Sequence, residues 1–414
     1  MEQPEDRGPI VKTRAGADVL AGSLMFVFIM SAVTLSLLPV VTNQLRIELG
    51  LTDAQIGLLT SVFMGFYGAS GILSGIGASR WGGRLLGVSC GCFVLGSLVF
   101  GLSGGFEGFI VGRALQGIGG GMVIATSIPV LAHALPPARV GRALGILGCG
   151  FGLGSMVALF VMPAIQSAGG YRAVFLTTAG LGAVVGAAVL SQKALRVRPQ
   201  HAEGATSLKG LIVSLGAVLT NRRALILGLT NAAGLALGVG ALAWTPSFLQ
   251  DVHGASEATS VYVIAGLGAA QVIGNPLGAV AANRWGKLGV IVGGMIAILV
   301  TTVVVGVVPG IPLAAAMVIV AAFFGMFFFP AMLACLPEVV AKPEQVGPAT
   351  GLNTSMGFVG SLMAPWLFGL ILDSGGRSKG SYVAGYLMLG VFGVVALVAL
   401  AFFRARNARV IPPA

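Results

Sequence analysis

The sequence predicts an all-α membrane protein, with twelve transmembrane helices in two six-helix halves related by a pseudo-two-fold axis. Three observations predict it. Hydrophobic residues make up 56% of the 414 and charged residues only 9%, against about 25% charged in an ordinary soluble domain. The apolar residues gather in runs of about 20, the length that crosses a bilayer as a helix. The tripeptide Arg-Trp-Gly occurs twice, at Arg80-Trp81-Gly82 and at Arg284-Trp285-Gly286, half the chain apart. The 65 glycines fit the class as well, because helices packing in lipid gain from the close backbone contact that small residues allow.

The spans follow in order. Segments 18–41 and 55–78 flank LRIELG, and Arg80 and Arg84 separate the second from 85–104. Segment 108–133 begins after Glu107, 141–163 follows Arg139, and 172–193 starts at Arg172. A polar connection, 194–223, carries Arg196, Arg198, Pro199, His201 and Glu203 and then LIVSLGAVL, which suits a helix lying on the membrane surface. Six more spans follow at 224–247, 258–282, 288–307, 312–335, 347–372 and 383–403. The domains expected are therefore 1–193, a cytoplasmic linker 194–223, and 224–414.

Both Arg-Trp-Gly copies fall between the second and third spans of their half, so the repeat is the trace of a duplicated six-helix unit. LRIELG (45–50) aligns with LQDVHG (249–254) and VGRALG (140–145) with VGPATG (346–351) at nearly the same offset. A parallel duplication places the pseudo-two-fold axis along the membrane normal and a cavity between the halves. Nineteen of the 24 cations, from Arg7, Lys12 and Arg14 to Arg404, Arg406 and Arg409, fall on the side of the termini; Arg46, Arg172, Arg377 and Lys379 fall on the other. By the positive-inside rule both termini are cytoplasmic, and a bacterial inner membrane is the expected location.

A formal net charge of +11 raises nucleic acid as a partner, but the charges are scattered singly between apolar runs and form no basic face or arm, so none is expected. Cys90, Cys92, Cys149 and Cys335 all lie in apolar stretches, and the C-x-C has no His or carboxylate beside it. They read as small buried hydrophobes, with no metal or cofactor. Residues 1–17 are polar and lead into a full-length span, which is not a cleaved signal.

The stretch Gly75-Ile-Gly-Ala-Ser79-Arg80-Trp81-Gly82-Gly83-Arg84 resembles the first-half loop signature of the major facilitator superfamily, and Arg113-Ala-Leu-Gln116-Gly117-Ile-Gly119 resembles its fourth-helix signature. The resemblance covers essentially the whole chain. It implies secondary transport, with the loop residues Gly75, Ser79, Arg80, Gly82 and Arg84 and their repeat partners Asn283, Arg284 and Gly286 acting in the inward gate. Two departures matter. Ser79 and Asn283 stand where the family usually carries Asp, which keeps a capping oxygen but removes charge pairing with the arginines. Residues 145–156, GILGCGFGLGSM, lack the proline of the exporters' fifth-helix pattern, which tilts the expectation toward uptake.

Arg113 is the only cation well inside a span, and Gln116 at i+3 shares its face. An intramembrane charge faces the bundle interior or water and is a candidate functional group; the competing reading is packing, gating or coupling. Its repeat partner is Met317, so the tenth span is greasy where the fourth is polar, ending in FFGMFFFP. That cluster suits helix packing, or stacking on an apolar ligand. Thr34, Ser36, Tyr67, Asn231, Trp244, Tyr262, Gln271, Asn275, Asn353 and Thr354 are the polar or aromatic groups placed to line a central cavity, each with interhelical hydrogen bonding as its alternative.

No Asp or Glu falls at the middle of a span: Asp18, Asp53, Glu107, Glu338 and Asp373 all sit near ends. Glu107 is then the best carrier for a coupled proton, unless the substrate brings its own. The expected function is uptake of a small organic anion, alone or with H+, by a monomer rocking about a central site. Efflux of amphipathic, drug-like compounds is the rival. A non-transporting sensor would need a longer tail than the eleven residues after Phe403, and enzyme chemistry lacks a clustered nucleophile, base and orienter.

Overall fold

The computed structural model describes residues 13–81, 83–192, 216, 219–340 and 346–407, and all its regular structure is helical. In the first half, α1 runs Arg14–Leu49, α2 Asp53–Trp81, α3 Arg84–Leu102 and α4 Phe106–Ala134. The next stretch, Pro137–Ser191, is two spans: Gly169 and Gly170 leave helical geometry and divide α5 (137–168) from α6 (171–191). Gly170 sits at φ 66°, ψ −168°, a conformation open essentially to glycine alone. The Gln44 side chain of α1 accepts from Tyr171 N (2.7 Å) and braces that corner.

In the second half, α7 is Arg222–His253, α8 Glu257–Trp285 and α9 Lys287–Val305. Span α10 comprises Ile311–Phe327 and, past Phe328, Phe329–Val339. Helices α11, Val346–Gly375, and α12, Lys379–Asn407, bring the spans among the described residues to twelve. The surface helix expected within 194–223 lies outside the described residues, apart from isolated positions.

The duplication is visible in local geometry. Helices α2 and α8 have 29 residues each, and α3 and α9 have 19 each. Helix α1 ends at Gly50 (φ 64°, ψ 23°) and α7 at Gly254 (φ 65°, ψ 25°), with Leu51 N bonded to Leu45 O and Ala255 N to Leu249 O. This is the same left-handed helix stop, written by the aligned LRIELG and LQDVHG segments.

Packing repeats the pattern. Helix α1 lies on the α5–α6 stretch as α7 lies on α11 and α12, α2 on α4 as α8 on α10, and α3 on α4 as α9 on α10. The halves meet through α2 against α11 and α5 against α8, a pair of contacts that the two-fold axis exchanges. Glycines make these contacts close. A Cβ on Gly117 or Gly121 of α4 would run into the Phe63 and Tyr67 carbonyls of α2; Gly274 and Gly278 of α8 hold the same relation to Phe323 and Phe327 of α10. Gly121→Val is therefore expected to force α2 off α4. Overpacking costs about 1–3 kcal/mol where side chains can yield, and backbone cannot, so the yield of monodisperse protein in size-exclusion chromatography should collapse. A variant that elutes and melts like the parent removes this contact from the account of the fold.

The outer wall is apolar. Val19, Phe26, Leu95, Val184, Val391 and Phe402 are exposed, which is the face a helix bundle turns to lipid. Trp81 and Trp285, the tryptophans of the two Arg-Trp-Gly copies, are exposed at matching helix ends, where indole rings favour the membrane boundary.

Candidate functional site

With twelve spans, α1 starts and α12 ends on one face of the molecule, here the terminal face; the opposite one is the far face. The site is best built from Arg113 outward. It is wholly buried about two turns in from the far-face end of α4, where an unpaired charge would be costly. Its Nη1 donates to Thr34 O of α1 (2.7 Å) and to Gln116 Oε1 (3.0 Å), and its Nε donates to Leu59 O of α2 (3.3 Å). The guanidinium lies 4.3 Å from the centre of the Phe63 ring, a cation–π contact strengthened by the dry surroundings. Gln116 passes the chain on by donating from Nε2 to Ser97 Oγ of α3 (2.9 Å). Arg113 thus ties α4 to α1, α2 and α3, yet its Nη2, also buried, has no partner.

Toward the terminal face, Phe63 is followed by Tyr67, whose ring stands 4.3 Å from Phe358 of α11. Phe63, Met64, Tyr67 and Phe358 form one apolar cluster with Leu35 of α1 and Val239 of α7, so both halves close around the ring pair. Beyond it, Asn231 of α7 donates to Asn353 O of α11 (2.9 Å). The Asn353 amide is 1% exposed with neither its nitrogen nor its oxygen paired. Arg113 and Asn353 therefore each present an unspent polar group, one on either side of the Tyr67–Phe358 pair.

The other expected cavity residues scatter. Trp244 is buried, but its Nε1 is spent on Pro365 O (3.0 Å) and its ring stacks near Phe368. Thr34 and Ser36 bond to Ser31 O and Ser155 Oγ. Gln271, Asn275 and Thr354 are half-buried. Tyr262 is 66% exposed, beside Phe160 of α5, and Glu107 is exposed in the first turn of α4. Of the Phe run, Phe323, Phe324 and Phe327 contact one another, while Phe328 fills the space left by Gly234 and Gly294.

In the gating loops, Gly82 and the side chains of Gly75, Ser79 and Arg80 lie outside the described residues. Arg84, Asn283, Arg284 and Gly286 are exposed. Lys287 reaches Ala334 O and Glu338 of α10, within its own half.

A constellation that sequence reasoning passed over closes the far face. The Asp373 carboxylate of α11 accepts from Asp53 N and Ala54 N (2.8 Å each), capping the N-terminus of α2 from across the two halves. Arg377, in the α11–α12 turn, pairs through Nη1 with Asp53 Oδ1 and through Nη2 with Asp251 Oδ2 of α7, both at 2.6 Å. Tyr382 OH donates to the same Asp251 oxygen, and Asn43 of α1 donates to Gln250 of α7. Burial pushes the Asp53 carboxyl above its ordinary range, with Arg377 pulling the other way. Arg377 is the only non-glycine with positive φ (56°) among the described residues. The gap between α1, α2 and α7 beside Thr42, Thr60 and Trp244 holds about 10 Å³, no more than one water. Among the described residues, contacts between the halves run from this far end to Tyr67–Phe358 and to Gly152 beside Val272.

Comparison with known proteins agrees with this architecture. The chain is 26% identical to the probable sulfoacetate transporter SauU of Cupriavidus necator, over 94% of each chain. It is 24% identical to the hexuronate transporter of Bacillus subtilis, over 91% of this chain and 93% of that one. Some further matches cover as little as 24% of the relative. The fold superposes on a crystal structure of a bacterial homolog of the human lysosomal transporter Spinster with a TM-score of 0.78 and 18% identity, covering 97% of this chain and all of that one. The Major Facilitator Superfamily profile matches residues 20–274 and 255–413. Together with the repeated six-helix architecture, this places the chain in the Major Facilitator Superfamily, as a membrane-embedded secondary transporter.

Proposed function

We propose that this transporter takes up a small organic anion, together with a proton, by alternating access. Residues 1–193 rock against 224–414, with 194–223 as a cytoplasmic linker. The observation that carries the reading is Arg113: a guanidinium inside a span whose Nη2 is dry and unspent is half of an anion site, since planar forks suit carboxylate and sulfonate oxygens. Gln116 holds that fork, Tyr67 and Phe358 separate it from the terminal face, and Asn231 and Asn353 supply polar groups from the other half. Two relatives that align along nearly the whole chain are named for sulfoacetate and hexuronate, both organic anions. The cation asymmetry supports cytoplasmic termini and an inner bacterial membrane, which makes the far face the outer one. A monomer suffices, because both halves of the site come from one chain. The rival efflux reading leans on the Phe run, whose rings are engaged with each other and with Gly234 and Gly294.

Uptake into proteoliposomes tests this, with a panel of labelled carboxylates and sulfonates offered with and without an inward proton gradient. Orientation is set by an impermeant thiol reagent on Ser378→Cys in a cysteine-free background. Accumulation of at least one anion, raised by the gradient, is expected. Extrusion of lipophilic dyes with no anion uptake would overturn the reading in favour of efflux.

A further inference from the structure

Closing the far face collects charge. Asp53 comes from α2 of the first half; Asp251, Asp373 and Arg377 come from α7, α11 and the α11–α12 turn of the second. Two carboxylates, Asp53 and Asp251, pair with one guanidinium, and the exposed Asp373 caps α2 beside them. The Asp53 side chain is 5% exposed and that of Arg377 11%, so closure takes the Asp53 carboxylate out of water and leaves Arg377 as its nearest compensation. When the halves part on this face, Asp53 loses Arg377, α2 loses its Asp373 cap, and the first-half carboxylate returns to water.

We propose that Asp53, Asp251, Asp373 and Arg377 form a proton-operated latch, in which a proton taken from the outer medium completes the closed state of the far face. The inference rests on the alternating-access reading above. It places the coupled proton at the boundary between the halves, not at the exposed Glu107.

The sign follows from linkage. Burial holds the Asp53 carboxyl above its ordinary range in the closed state. The closed state therefore binds the proton more tightly than an open, solvated one, and closure is favoured as pH falls from above the closed-state value toward the ordinary carboxylate range. The neighbouring groups are Arg46 of α1, His253 of α7, and Lys379 and Tyr382 of α12, in addition to the four of the latch. Arg46 shares Arg377's role from a greater remove. His253 works in the opposite sense: burial, and then Lys379, lower its pKa in the closed state, so its protonation favours opening at a higher pH than the carboxyl effect. Arg377 is held at φ 56° while its guanidinium spans both halves. A strained turn of this kind persists where its surroundings impose it.

The test uses the full-length chain in nanodiscs, with spin labels on Gly104→Cys and Pro309→Cys, exposed far-face loop positions in opposite halves. Distances are measured from about pH 7.5 to about pH 4, a span that brackets ordinary histidine and carboxylate values. In a His253→Asn background, the closed-to-open ratio should rise as pH falls, by at most about tenfold per pH unit for one linked proton. Asp53→Asn mimics the protonated form; it should be closed across the range and lose most of the pH slope. Asp251→Asn should reduce the slope as well, and serves if Asp53→Asn does not fold. A ratio that ignores pH, a shift toward open on acidification, or an Asp53→Asn protein more open than its parent would each overturn the latch while leaving alternating access intact. Labels that never exchange between two distances would bring down alternating access and the latch together.

Discussion

Arg113→Ala should lower the initial rate of anion uptake by about 100-fold or more while the protein still reaches the membrane. The size follows from what the side chain does. Two of its hydrogen bonds go to main-chain carbonyls, Thr34 O and Leu59 O, and hydrogen bonds to a charged group are worth about 1.5–3 kcal/mol each. Losing two amounts to about 3 kcal/mol or more, and each 1.4 kcal/mol is tenfold. Gln116 would also lose the donor to its Oε1. Both carbonyls are built into helices, so the fold has other bonds to rest on, and the larger loss is expected in transport. Arg113→Lys separates the two roles of the residue. A compact ammonium can keep one carbonyl but has no second arm for Nη2's position. If Nη2 meets the substrate, the Lys protein should show weakened affinity and altered preference between carboxylate and sulfonate. If Arg113 only staples α4 to α1 and α2, the Lys protein should melt earlier and transport every anion with the original preference. Normal uptake by Arg113→Ala would remove the residue from the mechanism altogether.

The parts of this protein that depend on neighbours along the chain are legible in the sequence. Lipid imposes the 20-residue run, so the spans could be counted, and the duplication left aligned words such as LRIELG and LQDVHG, which fold into the same Gly50 and Gly254 helix stops. Arg113 stood out because a cation inside an apolar run has few innocent explanations. The far-face cluster was not readable in that way. Its members, Asp53, Asp251, Asp373 and Arg377, each sit at a span end, where a charge is ordinarily solvated, and only the docking of α2 on α11 takes Asp53 and Arg377 out of water. One clue was present: Arg377 is among the few cations on the side that the positive-inside rule leaves poor in them, directly after Gly375-Gly376. The scatter of the expected cavity residues has a similar cause. Trp244 and Tyr262 are polar aromatic side chains, and the rotation of their helices turns one to the Pro365 carbonyl and leaves the other exposed beside Phe160.

Arg377→Gln is the sharpest test of the far face, because it removes the one cation that pairs with both Asp53 and Asp251. Breaking a buried pair by deleting one partner costs about 3–5 kcal/mol in a fully dry site; Asp251 is 25% exposed, so about 2–4 kcal/mol is the appropriate expectation after solvent screening. At 1.4 kcal/mol per tenfold, the far face should open by a factor of roughly 30 to several hundred. Spin labels at the Gly104 and Pro309 positions would then report mostly the longer distance at neutral pH, and net uptake should fall because the protein dwells outward-facing. The glutamine retains hydrogen-bonding capacity, so the change isolates charge from shape as far as one substitution can. Asp53→Asn added to Arg377→Gln removes part of the uncompensated charge and should recover part of the closure; a non-zero coupling in that double-mutant cycle identifies Asp53 and Arg377 as one interaction. Acid should act in the same direction as Asp53→Asn, closing the Arg377→Gln protein more steeply than the parent, since more of its carboxylates lack a partner. If Arg377→Gln closes as readily as the parent at neutral pH, the cross-half ion pair contributes nothing to the gate, and the closed face must be held by the glycine contacts of Gly57 and Gly369 with Pro365 and Asp53.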